Sequence, residues 1–192
     1  KRVKIINQHN QGVSVSRNIA VGMAKGEYIL TLDADDYFES TFVEKALAKF
    51  EENDQHGAVM CGYVRVVDGK KILPYIPGKV TLASCLLNNG ALSCLLLKKK
   101  AIDMAGGYDI KMEKGYEDWD LNIRILKSGF AYGIVREVLF NYVDTPGSRT
   151  YTATPNDIEL RMYMYHKYKD LYQENALYIY KQLVGENLQL RR

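Results

Sequence analysis

The chain lacks any stretch approaching the about 20 continuous apolar residues of a membrane-spanning helix, and it shows no signal peptide. Cysteine is scarce. Cys61, Cys85 and Cys94 are odd in number and widely spaced among apolar neighbours, which argues against a disulfide framework or a zinc site and suits buried thiols in a reducing compartment. A cytoplasmic protein is therefore expected. An excess of one charge is lacking too: 26 Lys and Arg face 23 Asp and Glu, and the basic residues are scattered, so nucleic acid is not an expected partner. His9 and His56 have no metal-ligand partner at usable spacing, and there are no internal repeats or low-complexity tracts. What remains is ordinary globular composition, 47% hydrophobic and 26% charged over 192 residues, enough to bury a core.

Hydrophobic periodicity predicts an alternation of strands and helices. Val3 to Asn7 reads as a short strand. Ser14 can cap a helix carrying Val15, Ile19, Ala20 and Met23 on one side, closed by Gly26. Tyr28 to Leu32 reads as a strand buried on both faces, and Thr41 to Glu52 as a helix, with Ser40 as its cap. Strand-like Ala58 to Val67 runs into Asp68-Gly69, a hairpin signal, and returns as Lys71 to Tyr75. Then come a helix over Leu82 to Leu87, a strand over Leu92 to Leu97 and a short helix over Lys98 to Met104 closed by Gly106-Gly107. A helix over Glu117 to Lys127 and strands over Tyr132 to Val135 and Val138 to Tyr142 follow. This order implies a three-layer α/β domain with a mostly parallel sheet over residues 1–150. From Pro155 the chain turns helical, charged and rich in tyrosine, so residues 151–192 read as a helical C-terminal extension.

Two acidic clusters stand out. In GEYILTLDADDYFES, Asp33, Asp35 and Asp36 follow directly on an apolar strand, at the kind of strand end where open α/β sheets bind ligands. Asp33 and Asp35, alternating in an extended segment, can present oxygens to one hard cation, Mg²⁺ or Mn²⁺; the same residues also suit a turn ahead of a helix. An EF-hand match at Asp33, Asp35 and Glu44 fails, because Phe38 stands where the loop needs glycine. In KGYEDWDLNIRILKSGF, Glu117 and Asp118 open a helix, where free N–H groups and the dipole favour ionised carboxylates. Adjacent helical residues point about 100° apart, so one of the two is expected to face the cleft. Trp119, Ile123 and Leu126 would anchor that helix, and an acidic first turn with no further role reads as well.

In combination, GVSVSRN…AKGEYILTLDADD, GGYD at Gly106 to Asp109 and EDWDLNIRILKSG resemble the family 2 glycosyltransferases of the GT-A fold, over roughly residues 4 to 148. The resemblance implies inverting transfer of a sugar from a nucleotide-diphospho-sugar to a hydroxyl of a glycan or lipid-linked acceptor, in surface polysaccharide or glycolipid synthesis. It implies that Asp33 and Asp35 bind the metal and donor and that Asp118 is the catalytic base. Asp36, Arg17, Asn18 and Gly12 would lie on the donor side, with Glu117 and Trp119 on the acceptor side or behind it.

The pattern departs from the family in two places. The strand-helix-strand unit that precedes this region in the family is missing and Lys1 opens almost directly onto a strand, so the sheet is expected to be N-terminally incomplete and prone to pair with another chain as a homo-oligomer. In FNYVDTPGSRT, Val143 stands without a nearby histidine, so a third protein ligand for the metal is not identifiable. The Tyr-rich tail could pack on the domain, on a partner or on a membrane surface. Two other classes remain open on the sequence: a glycosidase pair of carboxylates, and a non-catalytic module that binds a partner.

Overall fold

A computed structural model of the chain describes residues 3–145 and 154–190. Its centre is a six-stranded sheet. In chain order the strands are β1 (Tyr28–Leu30), β2 (Tyr37–Phe38), β3 (His56–Val67), β4 (Lys70–Tyr75), β5 (Leu96–Lys98) and β6 (Ala131–Val143), laid side by side as β1-β5-β3-β6-β2 with β4 paired to β3. The helices are α1 (Val13–Met23), α2 (Phe42–Glu52), α3 (Leu82–Cys85), α4 (Lys99–Ala105) and α5 (Glu117–Lys127), followed by α6 (Asp157–Lys167), α7 (Lys169–Glu174) and α8 (Ala176–Leu190).

Strand β3 shows why there are three layers. Its side chains alternate, and both faces are covered: Ala58 and Met60 join the cluster under α4 and α5, while Val59 and Cys61 join the cluster under α2 with Phe42, Ala46 and Phe50. Leu160 and Met164 of α6, with Tyr168 just after it, are buried in the first of these clusters. The C-terminal helices therefore close the core of the sheet domain.

The sheet is mixed where the sequence suggested a mostly parallel one. Among the described residues only β3 and β6 are parallel neighbours; β5 lies antiparallel between β1 and β3, and β2 and β4 are antiparallel to β6 and β3. Strands β1, β3 and β6 do run the same way, as helical crossovers require, but the antiparallel insertion of β5 leaves no trace in local periodicity.

Two other expectations change. Val3 to Asn7 forms no strand: Val3 and Ile5 are 75% and 83% exposed, because no neighbouring strand takes up the segment's backbone groups. Strand β1 is half-buried at the sheet edge instead of covered on both faces, and Leu30 and Leu32 remain exposed. Helix α1 likewise turns Ser14 and Val21 inward and leaves Ile19 and Met23 exposed; Gly12 rather than Ser14 stands at its N-cap, at φ 85°. Thr41, not Ser40, precedes α2, and β6 is one bulged strand where two were expected. The Asp68-Gly69 hairpin forms with both residues at positive φ, as its turn type demands.

The Gly106-Gly107-Tyr108-Asp109 segment is a fastening. Asn18 of α1 clasps Tyr108 from both sides, accepting from its N–H at 2.7 Å and donating to its carbonyl at 2.8 Å. A side chain at Gly107, φ 73°, would meet the Asn18 Oδ1 at 2.7 Å. Asp109 accepts from Tyr163 and Lys167 and so holds α6.

Candidate active site

Asp33 to Asp36 lie between β1 and β2, which occupy opposite edges of the sheet. The acidic segment therefore crosses from the carboxyl end of β1 toward that of β6. Asp36 is fixed there, its Oδ1 accepting from the Val143 N–H at 2.8 Å at the end of β6. Glu117 and Asp118 approach from the other side on the first turn of α5. The preceding Tyr116 is held in the left-handed region, at φ 63°, with its hydroxyl bonded to Asp157.

Both acidic clusters line one cleft of about 870 Å³, together with Arg17, Tyr63, Asn88, Asn89 and Trp119. Glu117 and Asp118 both face it, although one of them was expected to point away. Arg17 joins the clusters: Nη2 donates to Asp33 Oδ1 at 2.7 Å and Nη1 to Glu117 Oε1 at 2.9 Å. Burial lowers the guanidinium pKa, but Tyr108, Asp33 and Glu117 outweigh that and raise it overall.

Burial pushes Asp118 above the ordinary carboxylate range, against the lowering effect of the Trp119 N–H, Arg17 and Asn89. Asn89 was not legible as a site residue. Its Nδ2 donates to Asp118 Oδ2 at 2.9 Å, its Oδ1 accepts from Asn122 at 3.1 Å, and Asn122 accepts from the Tyr132 hydroxyl at 2.7 Å. Asn88-Asn89-Gly90 looks like a turn in the sequence, and nothing local marks the contact with α5.

Asp36 is raised to about 6 by burial, with Asp35 and Asp33 adding to the rise and the Val143 N–H opposing it. Asp33, Asp36 and Cys94 bring ligand atoms within 4.8 Å of one another, whereas Asp35 is exposed and accepts from Thr145 at 2.9 Å. The carboxylates at this strand end are hard oxygen donors that suit Mg²⁺ or Mn²⁺, and Asp33 belongs both to this cluster and to the pair read from the sequence. The buried thiol, held protonated with its pKa pushed up to about 12, adds no charge.

The remaining sequence candidates are tied to the fold. Asn18 and Gly12 do not line the cleft: Asn18 is committed to Tyr108, and Gly12 borders a separate hollow with Asn10 and Gln11. Trp119 is buried, donates to the Cys85 carbonyl and is covered by the Arg161 guanidinium, 4.9 Å from its ring centre. Arg161, from α6, also lines the cleft and had no sequence signal. His56 bonds the Lys49 carbonyl, a structural contact.

Comparison with known proteins bears on the sequence and the fold. Residues 1–90 match the model of glycosyl transferase family 2. An uncharacterized glycosyltransferase of Haemophilus influenzae is 28% identical over 79% of this chain and 54% of its own length. One from Methanocaldococcus jannaschii is 29% identical over 74% of this chain and 51% of its own. The chain thus spans about half the length of these relatives. Among solved structures, S. aureus TarS 1-349 in complex with UDP-GlcNAc superimposes with a TM-score of 0.62 at 16% identity, over 77% of this chain and 43% of that one. These matches define the class the chain is similar to: its first 90 residues resemble glycosyl transferase family 2, and its fold is that of the TarS structure.

Proposed function

We propose that the chain is the catalytic part of an inverting glycosyltransferase that moves a sugar from a nucleotide-diphospho-sugar to a hydroxyl of a glycan or lipid-linked acceptor. The observation that carries the reading is the convergence of Asp33, Asp35 and Asp36 with Glu117 and Asp118 on one cleft at the carboxyl ends of the strands. The UDP-GlcNAc complex of the TarS structure supports a nucleotide-sugar as donor class.

Asp118 accepts the proton of the acceptor hydroxyl as that oxygen attacks the anomeric carbon from the side opposite the leaving diphosphate. The Asn89 amide holds the carboxylate in place while it does so. Asp33 and Asp35 would hold the divalent ion, with Asp36 beside them. When bound, the ion neutralises charge that grows on the departing diphosphate. Arg17 adds a fixed positive charge to the same wall of the cleft.

Buried free thiols at Cys61, Cys85 and Cys94 support a reducing, cytoplasmic setting, and among the described residues no helix is long and apolar enough to cross a membrane. Surface polysaccharide or glycolipid synthesis is the setting in which such an acceptor would be met. The test is a transfer and donor-hydrolysis assay with Mn²⁺ on the full chain. Asp118→Asn should abolish transfer yet keep donor affinity, whereas Asp35→Ala should lose metal-dependent donor binding. Wild-type turnover by Asp118→Asn would remove the assigned base.

A further inference from the structure

The cleft gathers five carboxylates, and among the described residues lining it the cations are Arg17 and Arg161. Arg161 is engaged by Asp157 at 2.8 Å and covers Trp119. Arg17 pairs with both Asp33 and Glu117: its side chain is only 14% exposed, and it gives a different terminal nitrogen to each carboxylate. Two separate nitrogens matter, because one ion pair can open while the other holds the side chain in place. The Asp33 side chain is 42% exposed to the cleft and that of Glu117 8%, so the Asp33 end is the one a dissolved ion can reach.

We propose that Arg17 and the divalent cation compete for Asp33. In the metal-free chain the guanidinium serves as counter-charge, clamping Asp33 to Glu117 and so joining the strand-end turn to α5. An ion that takes Asp33 displaces the Nη2 end, while the Nη1 end stays on the buried Glu117. The freed N–H donors then face the cleft as a charge for the donor diphosphate. Arg17 is thus a positioning residue that couples metal entry to diphosphate binding. Loss of its charge should tighten the metal and weaken the nucleotide, two effects of opposite sign. A purely structural arginine would weaken both.

The inference rests on the metal reading of Asp33 and Asp35, so the experiment separates the two. Mn²⁺ is titrated by calorimetry into wild type, Arg17→Gln, Arg17→Lys and Asp35→Ala, followed by UDP at saturating Mn²⁺. The competition predicts on the order of tenfold tighter Mn²⁺ binding by Arg17→Gln, the equivalent of one charge-assisted hydrogen bond, and weaker UDP binding. Arg17→Lys should fall between it and wild type, since one ammonium cannot serve both carboxylates as a fork does. If Arg17→Gln fails to fold, Arg17→Lys carries the test, with tighter Mn²⁺ binding still required. Mn²⁺ affinity lost in Asp35→Ala but unchanged or weakened in both Arg17 variants overturns the competition and leaves the metal reading standing. No Mn²⁺ binding by wild type or any Arg17 variant overturns both.

Discussion

Asn89 Nδ2 donates to Asp118 Oδ2 at 2.9 Å and is itself held by Asn122 and, through it, Tyr132. The carboxylate assigned as base is therefore oriented from the core of the protein. Asn89→Ala should lower kcat/KM about 10- to 100-fold, the rate equivalent of the about 1.5–3 kcal/mol that a hydrogen bond to a charged group contributes. Nucleotide affinity should be unchanged. The pH–rate profile separates orientation from folding: the lost donor normally lowers the Asp118 pKa, so the acid limb should move to higher pH.

The same carboxylate sets a pH dependence of its own. Burial raises its pKa, and a base must be ionised to work, so transfer should fall off on the acid side at a pH above the ordinary carboxylate range. For stability the sign is opposite to that of a salt-bridged aspartate. The native state holds the proton more tightly than the unfolded chain, so stability falls as pH rises from the unfolded value through the raised one. Asp118→Asn should thus be no less stable than wild type at neutral pH, with the difference shrinking as pH falls through the raised pKa, as read from urea midpoints. A variant clearly less stable at neutral pH would contradict this.

Helix α6 is joined to the site by Asp120, which is fully buried and accepts from Arg124, Lys167 and Tyr168, each at 2.6 Å. Asp120→Ala takes the carboxylate from Arg124 and leaves Lys167 with Asp109 alone, and should cost about 3–5 kcal/mol in urea unfolding. Lys167→Met, which removes one of the two cations, should cost less. Equal stability of Asp120→Ala and wild type would mean that the helix is held by its other contacts, the apolar ones and those to Asp109.

These residues also show where the sequence was informative. Helix α5 has the predicted bounds Glu117–Lys127, because its apolar positions repeat at the helical period and a glycine follows it. The Asp68-Gly69 turn is equally local, its positive φ written in the residue types. The order of the sheet was not legible, because β5 is too short to show a period and pairs with strands distant in sequence. Asn89 and Arg161 were missed for the same reason: each reaches the cleft by folding across it, and neither stands in a pattern. Arg17 was placed on the donor side by the resemblance, but its position between Asp33 and Glu117 depends on the fold and was not legible.

On the proposed function the two acidic clusters form one metal-dependent nucleotide-sugar site. Calorimetric titration of the chain with UDP and with GDP, each with and without Mn²⁺, and repeated on Asp35→Ala, tests it most directly. Nucleotide binding should need Mn²⁺ and be lost in Asp35→Ala. Binding of equal strength without metal, or undiminished in Asp35→Ala, would contradict it.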